Sequence, residues 1–253
     1  MKRFVPWFVI LLIAVLSPVA LPAQAQSTSP SSSANTSRTQ AHSAPHKTDP
    51  ALFHPAALTA KAPDQFEATF KTTAGDFVVQ VTRAWAPLGA DRFYNLVKHG
   101  YFTDAAFFRV VPGFVVQFGL SANPELNKVW SKAAIKDDPV TQSNHLGYLT
   151  FATAGANTRT TQLFISLADN TRLDSMGFAP FGQVTSGMDV VQKIYSGYGE
   201  SPDQAAITAE GKPYLDKNFP KLDHTISATI TSPAPAMHTM PAHKTAAPAA
   251  KPE

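Results

Sequence analysis

Between residues 64 and 231 the apolar side chains come in short runs rich in β-branched and aromatic types, and this spacing constrains the chain more than any other feature. Phe66-Glu67-Ala68-Thr69-Phe70-Lys71-Thr72 alternates apolar and polar residues. After Thr73-Ala74-Gly75, the run Asp76-Phe77-Val78-Val79-Gln80-Val81-Thr82 does much the same. Two such runs joined by a short glycine-bearing turn predict a β-hairpin. Further runs at 106–111, 114–118, 147–153, 162–167, 181–184 and 225–231 bring the expected strands to about eight. The period changes at 87–99, where Leu88, Phe93, Leu96 and Val97 share one helical face, Pro87 suits a first turn and Gly100 a left-handed cap. A second helix is expected at 188–195 and a third near 203–218. Strands in that number with few crossover helices predict an antiparallel barrel or sandwich, not a parallel α/β sheet. Patterning alone does not choose between the two.

The ends of the chain have a different character. Lys2 and Arg3 precede an apolar run of about 13 residues from Phe4 to Leu16, followed by Ala23-Gln24-Ala25. A basic start, a short apolar stretch and a small-x-small site predict a secretory signal over 1–25. The run is shorter than the ~20 residues a membrane-spanning helix needs, so an uncleaved anchor is the second reading. Residues 26–63 are rich in Ser, Thr, Pro and Ala, and 232–253 in Pro, Ala, His and Lys. Such stretches cannot bury enough apolar surface to offset their ordering entropy and are expected to be a disordered tether and tail. Residues 64–231 then form one domain, and the protein is expected to be exported, to the periplasm or the extracellular space, with no stable membrane insertion once the signal is removed.

Several chemistries are excluded early. The chain has no Cys, which removes disulfides, thiol catalysis and lipid attachment to a cysteine after the signal. The whole chain carries a net +3, but residues 64–231 hold 14 Lys and Arg against 16 Asp and Glu, a formal charge of −2. A nucleic-acid role wants a basic face on the folded part, and none is expected here. Of the eight His, His42, His46 and His54 lie in the N-terminal stretch and His238 and His243 in the tail, without ligand spacing to carboxylates. No nucleophile elbow and no phosphate-cradling glycine motif is present. Neither a metal nor a cofactor is expected.

One region is more specific. Phe107-Phe108-Arg109-Val110-Val111-Pro112-Gly113-Phe114-Val115-Val116-Gln117 resembles the cyclophilin signature F-x-R-x-x-P-G-F-x-x-Q. The run 147–158, which holds Phe151, Ala152 and Thr153, resembles the second block of that family and leads into Thr161-Gln162-Leu163-Phe164-Ile165. Leu173-Asp174 and Phe181-Gly182-Gln183-Val184 complete four blocks in order. One such block would be weak support, since aromatics in strands are mostly core and a lone arginine is mostly surface. Four in sequence are not.

The resemblance implies a closed eight-stranded antiparallel barrel capped by two helices, and peptidyl-prolyl cis/trans isomerase activity on proline-containing polypeptides by a monomer. It implies Arg109, Phe114 and Gln117 as catalytic residues. Val115, Ala152, Thr153, Gln162, Phe164, Leu173 and Phe178 would bind substrate, with apolar side chains around the proline ring and the Ala152 backbone on the peptide main chain. Gln162 would support the arginine. The chain departs from well-known members at Arg172, where a tryptophan is common, at Phe178 for a histidine, and at Thr153 for an asparagine. The first of these implies weak binding of cyclosporin. Two other functions stay open at this stage: a groove that holds Pro-containing peptides without turnover, and a surface protein whose tails anchor it.

Overall fold

The computed structural model describes residues 47–231. The expected signal, residues 26–46 of the expected tether, and the C-terminal tail lie outside them. Eight strands form the sheet: β1 Gln65–Thr72, β2 Gly75–Thr82, β3 Arg109–Val111, β4 Val115–Phe118, β5 Tyr148–Phe151, β6 Leu163–Ser166, β7 Pro180–Ser186 and β8 Thr225–Thr231. Every pairing is antiparallel, in the order β3-β4-β6-β5-β7-β2-β1-β8. The hairpin expected from the opening alternation is β1–β2, turning through Thr73-Ala74 with Thr72 opposite Gly75.

The closed barrel is not what forms. The eight strands make one open, curled sheet whose edges are β3 and β8. The two edges approach at a corner, where Asp104 N–H donates to Thr225 O at 2.8 Å and Phe107 N–H to Asp223 O at 2.9 Å. Beyond that corner the outer side of β3 is covered by another segment, since Val110 N–H donates to Gly199 O at 3.2 Å. A strand has only two edges for hydrogen bonding, and β4 and the turn at Gly199 occupy those of β3.

Five helices are present: α1 Pro87–Lys98, α2 Pro124–Trp130, α3 Met188–Lys193, α4 Gln204–Glu210 and α5 Lys212–Asn218. The two-helix expectation therefore falls short among the described residues. Helix α2 begins with Asn123, whose side chain accepts from Glu125 N–H at 3.0 Å, followed by Pro124 in the first turn. That cap-and-proline pair is a start signal legible in the sequence. The expected third helix is two, broken at Gly211 (φ +65°), where a Cβ would stand 2.3 Å from Ala122 O. In α1 the buried face carries Phe93, Leu96 and Val97 as expected, but Leu88 is 43 % exposed.

The core lies between the concave face of the sheet and α1. Phe70 stacks on Phe77 with ring centroids 4.9 Å apart and meets Phe93, Phe102 and Phe118 at 5.8–6.2 Å. Strand β1 buries Phe66, Ala68, Phe70 and Thr72 in strict alternation, which is why the period-two pattern was so clear in the sequence.

Residues 47–63, part of the expected tether, are instead seated on the domain. Leu52 sits in a short 3₁₀ helix, Pro50–Phe53, and is 1 % exposed. Its carbonyl accepts from Trp130 Nε1 at 2.8 Å. Asn95 of α1 clasps Ala60 from both sides, accepting its N–H at 3.2 Å and donating to its carbonyl at 2.7 Å. The buried Leu52 and Ala62, the Asp49–His99 pair and several paired backbone groups seat a stretch whose composition reads as disordered. Leu52→Ala is expected to destabilise the domain by about 2–4 kcal/mol, which lowers the melting temperature by roughly 5–15 °C for a domain of this size. Thermal unfolding followed by circular dichroism checks this, and an unchanged midpoint would show the arm to be uncoupled from the fold.

Candidate active site

Strands β4 and β6 are buried on both faces. Val116 and Phe118 of β4, with Leu163 and Ile165 of β6, enter the main core. Their neighbours Val115 and Phe164 point the other way, into a separate apolar cluster with Leu173 that Phe114, Ala152 and Phe178 border. Alternation alone places these side chains outside the core. Phe107, which shares the motif with Phe114, belongs to the core, so the two motif phenylalanines have opposite duties.

Register aligns the polar groups on the same outer face. Arg109 of β3 lies opposite Gln117 of β4, and Gln117 opposite Phe164 of β6. Directly opposed residues share a face, so an arginine, a glutamine and a phenylalanine form one row across three strands. Arg109 Nη1 donates to Gln117 Oε1 at 3.2 Å, and Gln117 Nε2 donates to Gln162 Oε1 at 2.9 Å. Gln117 is 8 % exposed and the Arg109 side chain 25 %. The Arg109 guanidinium carbon stands 5.6 Å from the Phe114 ring centre, and that of Arg172 stands 4.9 Å from it. Phe114 is thus flanked by two cations, a favourable arrangement for a ring's negative faces.

The apolar cluster is held by polar groups that sequence reasoning missed. The Phe114 carbonyl accepts from Leu167 N–H at 2.8 Å and from Asn170 Nδ2 at 2.9 Å. Asn144, fully buried, donates through Nδ2 to Asp174 Oδ1 at 2.7 Å and to Phe178 O at 2.9 Å, and accepts from Thr150 Oγ1 at 2.9 Å. Asp174 also accepts from Ser143 Oγ and from Asn144 N–H. These bonds fix the 3₁₀ segment Thr171–Met176, which carries Leu173, and the following Phe178, whose ring meets Phe164 edge-on at 5.6 Å. Asp174 was legible as the residue after Leu173, whereas nothing local marks Asn144 as its partner.

All ten residues named from the sequence line this outer face or its rim, and two carry qualifications. The Ala152 N–H donates to Gln162 O at 2.9 Å, so its amide is taken up by the neighbouring segment. The Thr153 hydroxyl is engaged within its own loop, with Gly155 and with Thr158 Oγ1 at 2.9 Å. Beside the groove lies a cavity of about 170 Å³ lined by Asp137, Thr153, Gly155, Ala156, Arg159, Met176 and Gly177. Arg159 is buried there, and its guanidinium joins Asp137 to the Gly177 carbonyl. Among the described residues there is no cluster of His, Asp and Glu able to hold a metal ion, and no helix long and apolar enough to cross a membrane.

Residues 67–212 match the profile of the family described as cyclophilin type peptidyl-prolyl cis-trans isomerase/CLD. A peptidyl-prolyl cis-trans isomerase of Acinetobacter baylyi is 34 % identical over 130 residues, covering 49 % of this chain and 69 % of that protein. The peptidyl-prolyl cis-trans isomerase A of Dickeya dadantii is 32 % identical over 128 residues, with 49 % and 67 % covered. The crystal structure of a cyclophilin type peptidyl-prolyl cis-trans isomerase of Cryptosporidium parvum superposes with a TM-score of 0.50 at 17 % identity, covering 67 % of this chain and 99 % of that one. That last likeness concerns the fold alone. The chain belongs to the cyclophilin-type peptidyl-prolyl cis-trans isomerase family. Its enzyme class follows: it is an isomerase of the peptide bond that precedes proline, and its substrates are proline-containing peptides.

Burial by itself raises the Asp174 carboxyl, but hydrogen bonds from Ser143 and from the Asn144 side chain and backbone, with His145 nearby, outweigh it. The group is held below its ordinary 3.8. A depressed folded-state value means stability that is fully present above the unfolded value near 4 and is lost as pH falls through the folded one. Asp174→Asn is expected to cost about 1–3 kcal/mol at pH 7, with the gap to the unaltered protein narrowing below pH 4. Denaturant midpoints measured between pH 7 and pH 3 check both the size and the sign.

Proposed function

We propose that the chain is an exported isomerase of the bacterial kind that assists folding of exported proteins, with Arg109 as the donor that speeds rotation. The observation that carries this reading is the Arg109–Gln117–Gln162 hydrogen-bonded chain lying beside an apolar cluster separate from the core. A groove that only held proline would need the cluster but would have no use for a tethered guanidinium.

The chemistry is economical. Rotation about an X–Pro bond breaks amide resonance against a barrier of about 20 kcal/mol and takes tens to hundreds of seconds unaided. Reaching the millisecond range means removing roughly 6 kcal/mol, at about 1.4 kcal/mol per tenfold. As the C–N bond twists, the prolyl nitrogen becomes pyramidal and gains a lone pair. A fixed donor aimed at that nitrogen stabilises the twisted state over both planar ones, which is the differential binding that catalysis requires. Arginine suits the role because it stays charged and presents several donors in a rigid fork. In this reading Phe114, Val115, Phe164, Leu173 and Phe178 enclose the proline ring. Gln117 and the Ala152 carbonyl hold the peptide main chain, Thr153 sits at the rim, and Gln162 orients Gln117. One side of the scissile-like bond is then fixed while the other turns.

Arg109→Ala is expected to slow cis-to-trans relaxation of a short X–Pro peptide about 10²-fold or more, as for removal of one preorganised donor. Peptide affinity is expected to change far less, because the donor acts mainly on the twisted state. Equal rates in the two proteins would overturn the role of Arg109.

Export rests on Lys2, Arg3, the apolar run and Ala23-Gln24-Ala25. N-terminal sequencing of the protein recovered outside the cytoplasm is expected to begin at Gln26. Recovery of the chain only inside cells with Met1 intact would overturn export, and recovery in membranes with residues 1–25 retained would favour an anchor.

A further inference from the structure

Arg109 has a third partner that neither the motif nor the resemblance points to. Glu200 lies 91 residues further along the chain, and its Oε1 accepts from Arg109 Nε at 2.6 Å and stands in ion-pair contact with Nη2. A guanidinium offers five N–H donors in a fixed fork. Glu200 takes the Nε donor and faces Nη2, and Gln117 takes one donor on Nη1, which leaves donors on both terminal nitrogens. From the geometry we infer that Glu200 is a positioning residue: it holds the fork from the side opposite Gln117, so that the remaining donors face the groove in one orientation. This rests on the reading of Arg109 as the donor to the prolyl nitrogen.

The carboxylate is delivered by a built turn. Gly199, in the left-handed region at φ +54°, accepts from Val110 N–H at 3.2 Å, so the turn is fastened to the same edge strand that carries Arg109. Gly199 N–H donates to Ser196 O at 3.0 Å, and Ser201 N–H donates to Tyr198 O at 2.9 Å. The Tyr198 ring packs edge-on against Tyr195 at 5.2 Å and Phe219 at 5.1 Å, which ties the turn to the end of α5. Gln117 alone, through one bond of 3.2 Å, would leave the guanidinium free to pivot about that contact.

Two effects of Glu200 oppose each other. Its charge offsets the cation, which weakens the field at the prolyl nitrogen, while its hydrogen bond on Nε and its contact with Nη2 restrict the fork. Its side chain is 62 % exposed, so water and salt screen the charge, whereas the hydrogen-bond geometry does not depend on that screening. Orientation therefore wins, and removing Glu200 slows the enzyme.

The test measures kcat and KM for an X–Pro peptide with the full chain, alone and as Glu200→Ala, Glu200→Gln, Arg109→Ala and the Arg109→Ala Glu200→Ala pair, with a melting curve for each. The expectation is a loss in kcat of about threefold to fivefold for Glu200→Ala with KM unchanged, the range one exposed ion pair supports. Glu200→Gln, which keeps the acceptor and drops the charge, recovers most of the rate, and Glu200→Ala has no further effect once Arg109 is gone. Glu200→Ala at full or higher activity, a loss confined to KM, or Glu200→Gln as impaired as Glu200→Ala would each overturn the inference. An active Arg109→Ala would instead sink the reading beneath it, so the two failures are told apart.

Discussion

A strand has two faces, and in β4 and β6 both are occupied. That one constraint organises the molecule. The inward residues of these strands, Val116, Phe118, Leu163 and Ile165, close the core against α1. The outward residues, Val115, Gln117 and Phe164, are left to make a groove. Because the register sets Arg109 opposite Gln117 and Gln117 opposite Phe164, the arginine, its glutamine partner and the apolar wall cannot be moved independently. A slip of one residue would turn Gln117 into the core and Val116 into the groove. Folding correctly and placing the site are here the same event.

The open edge follows from the same arrangement. Strand β3 is only three residues long, Arg109–Val111, and it is the last strand of the sheet. Edge strands present unpaired backbone groups that must be paired or covered. The Tyr198-Gly199-Glu200 turn covers this one, through Gly199 O on Val110 N–H. Had β8 closed the barrel along β3, that turn could not lie there, and Arg109 would keep Gln117 and the Phe114 ring but lose Glu200. The departure from a closed ring thus gives the arginine a neighbour on its outer side.

Much of the fold was legible because the side chains that make it are local in pattern. β8 runs Thr225–Thr231 as read, and the β1–β2 hairpin follows the alternation of Phe66, Ala68, Phe70 and Thr72. Of the candidate site, the motif residues were legible and their grouping follows from register. What escaped was set by contacts distant in sequence or by single residues. Glu200 meets Arg109 across 91 positions, and Asn144 meets Asp174 across 30. Leu52 orders residues that composition places in the tether, since one buried leucine under Trp130 barely changes an average taken over Ser, Pro and Ala. Leu88 erred the other way, apolar and on the right helical side by period, yet in the first turn of α1 where it meets solvent.

Isomerisation about a peptide bond asks little of covalent chemistry and much of orientation. No bond other than the partial C–N double bond is weakened, and the protein has only to favour one twisted geometry. A donor misaimed by a rotamer would bind a planar peptide as well as a twisted one and accelerate nothing. This gives a role to the polar bonds around the groove. The Phe114 carbonyl accepts twice, Asn144 fastens Asp174 and Phe178, and Gln117 is itself held by Gln162. Each of these bonds is modest taken singly. Together they reduce the freedom of the groove wall against which, in the proposed mechanism, the arginine acts. On that proposal the order built into this outer face is a large part of what the site contributes, and the guanidinium is effective to the extent that its surroundings keep it in one place.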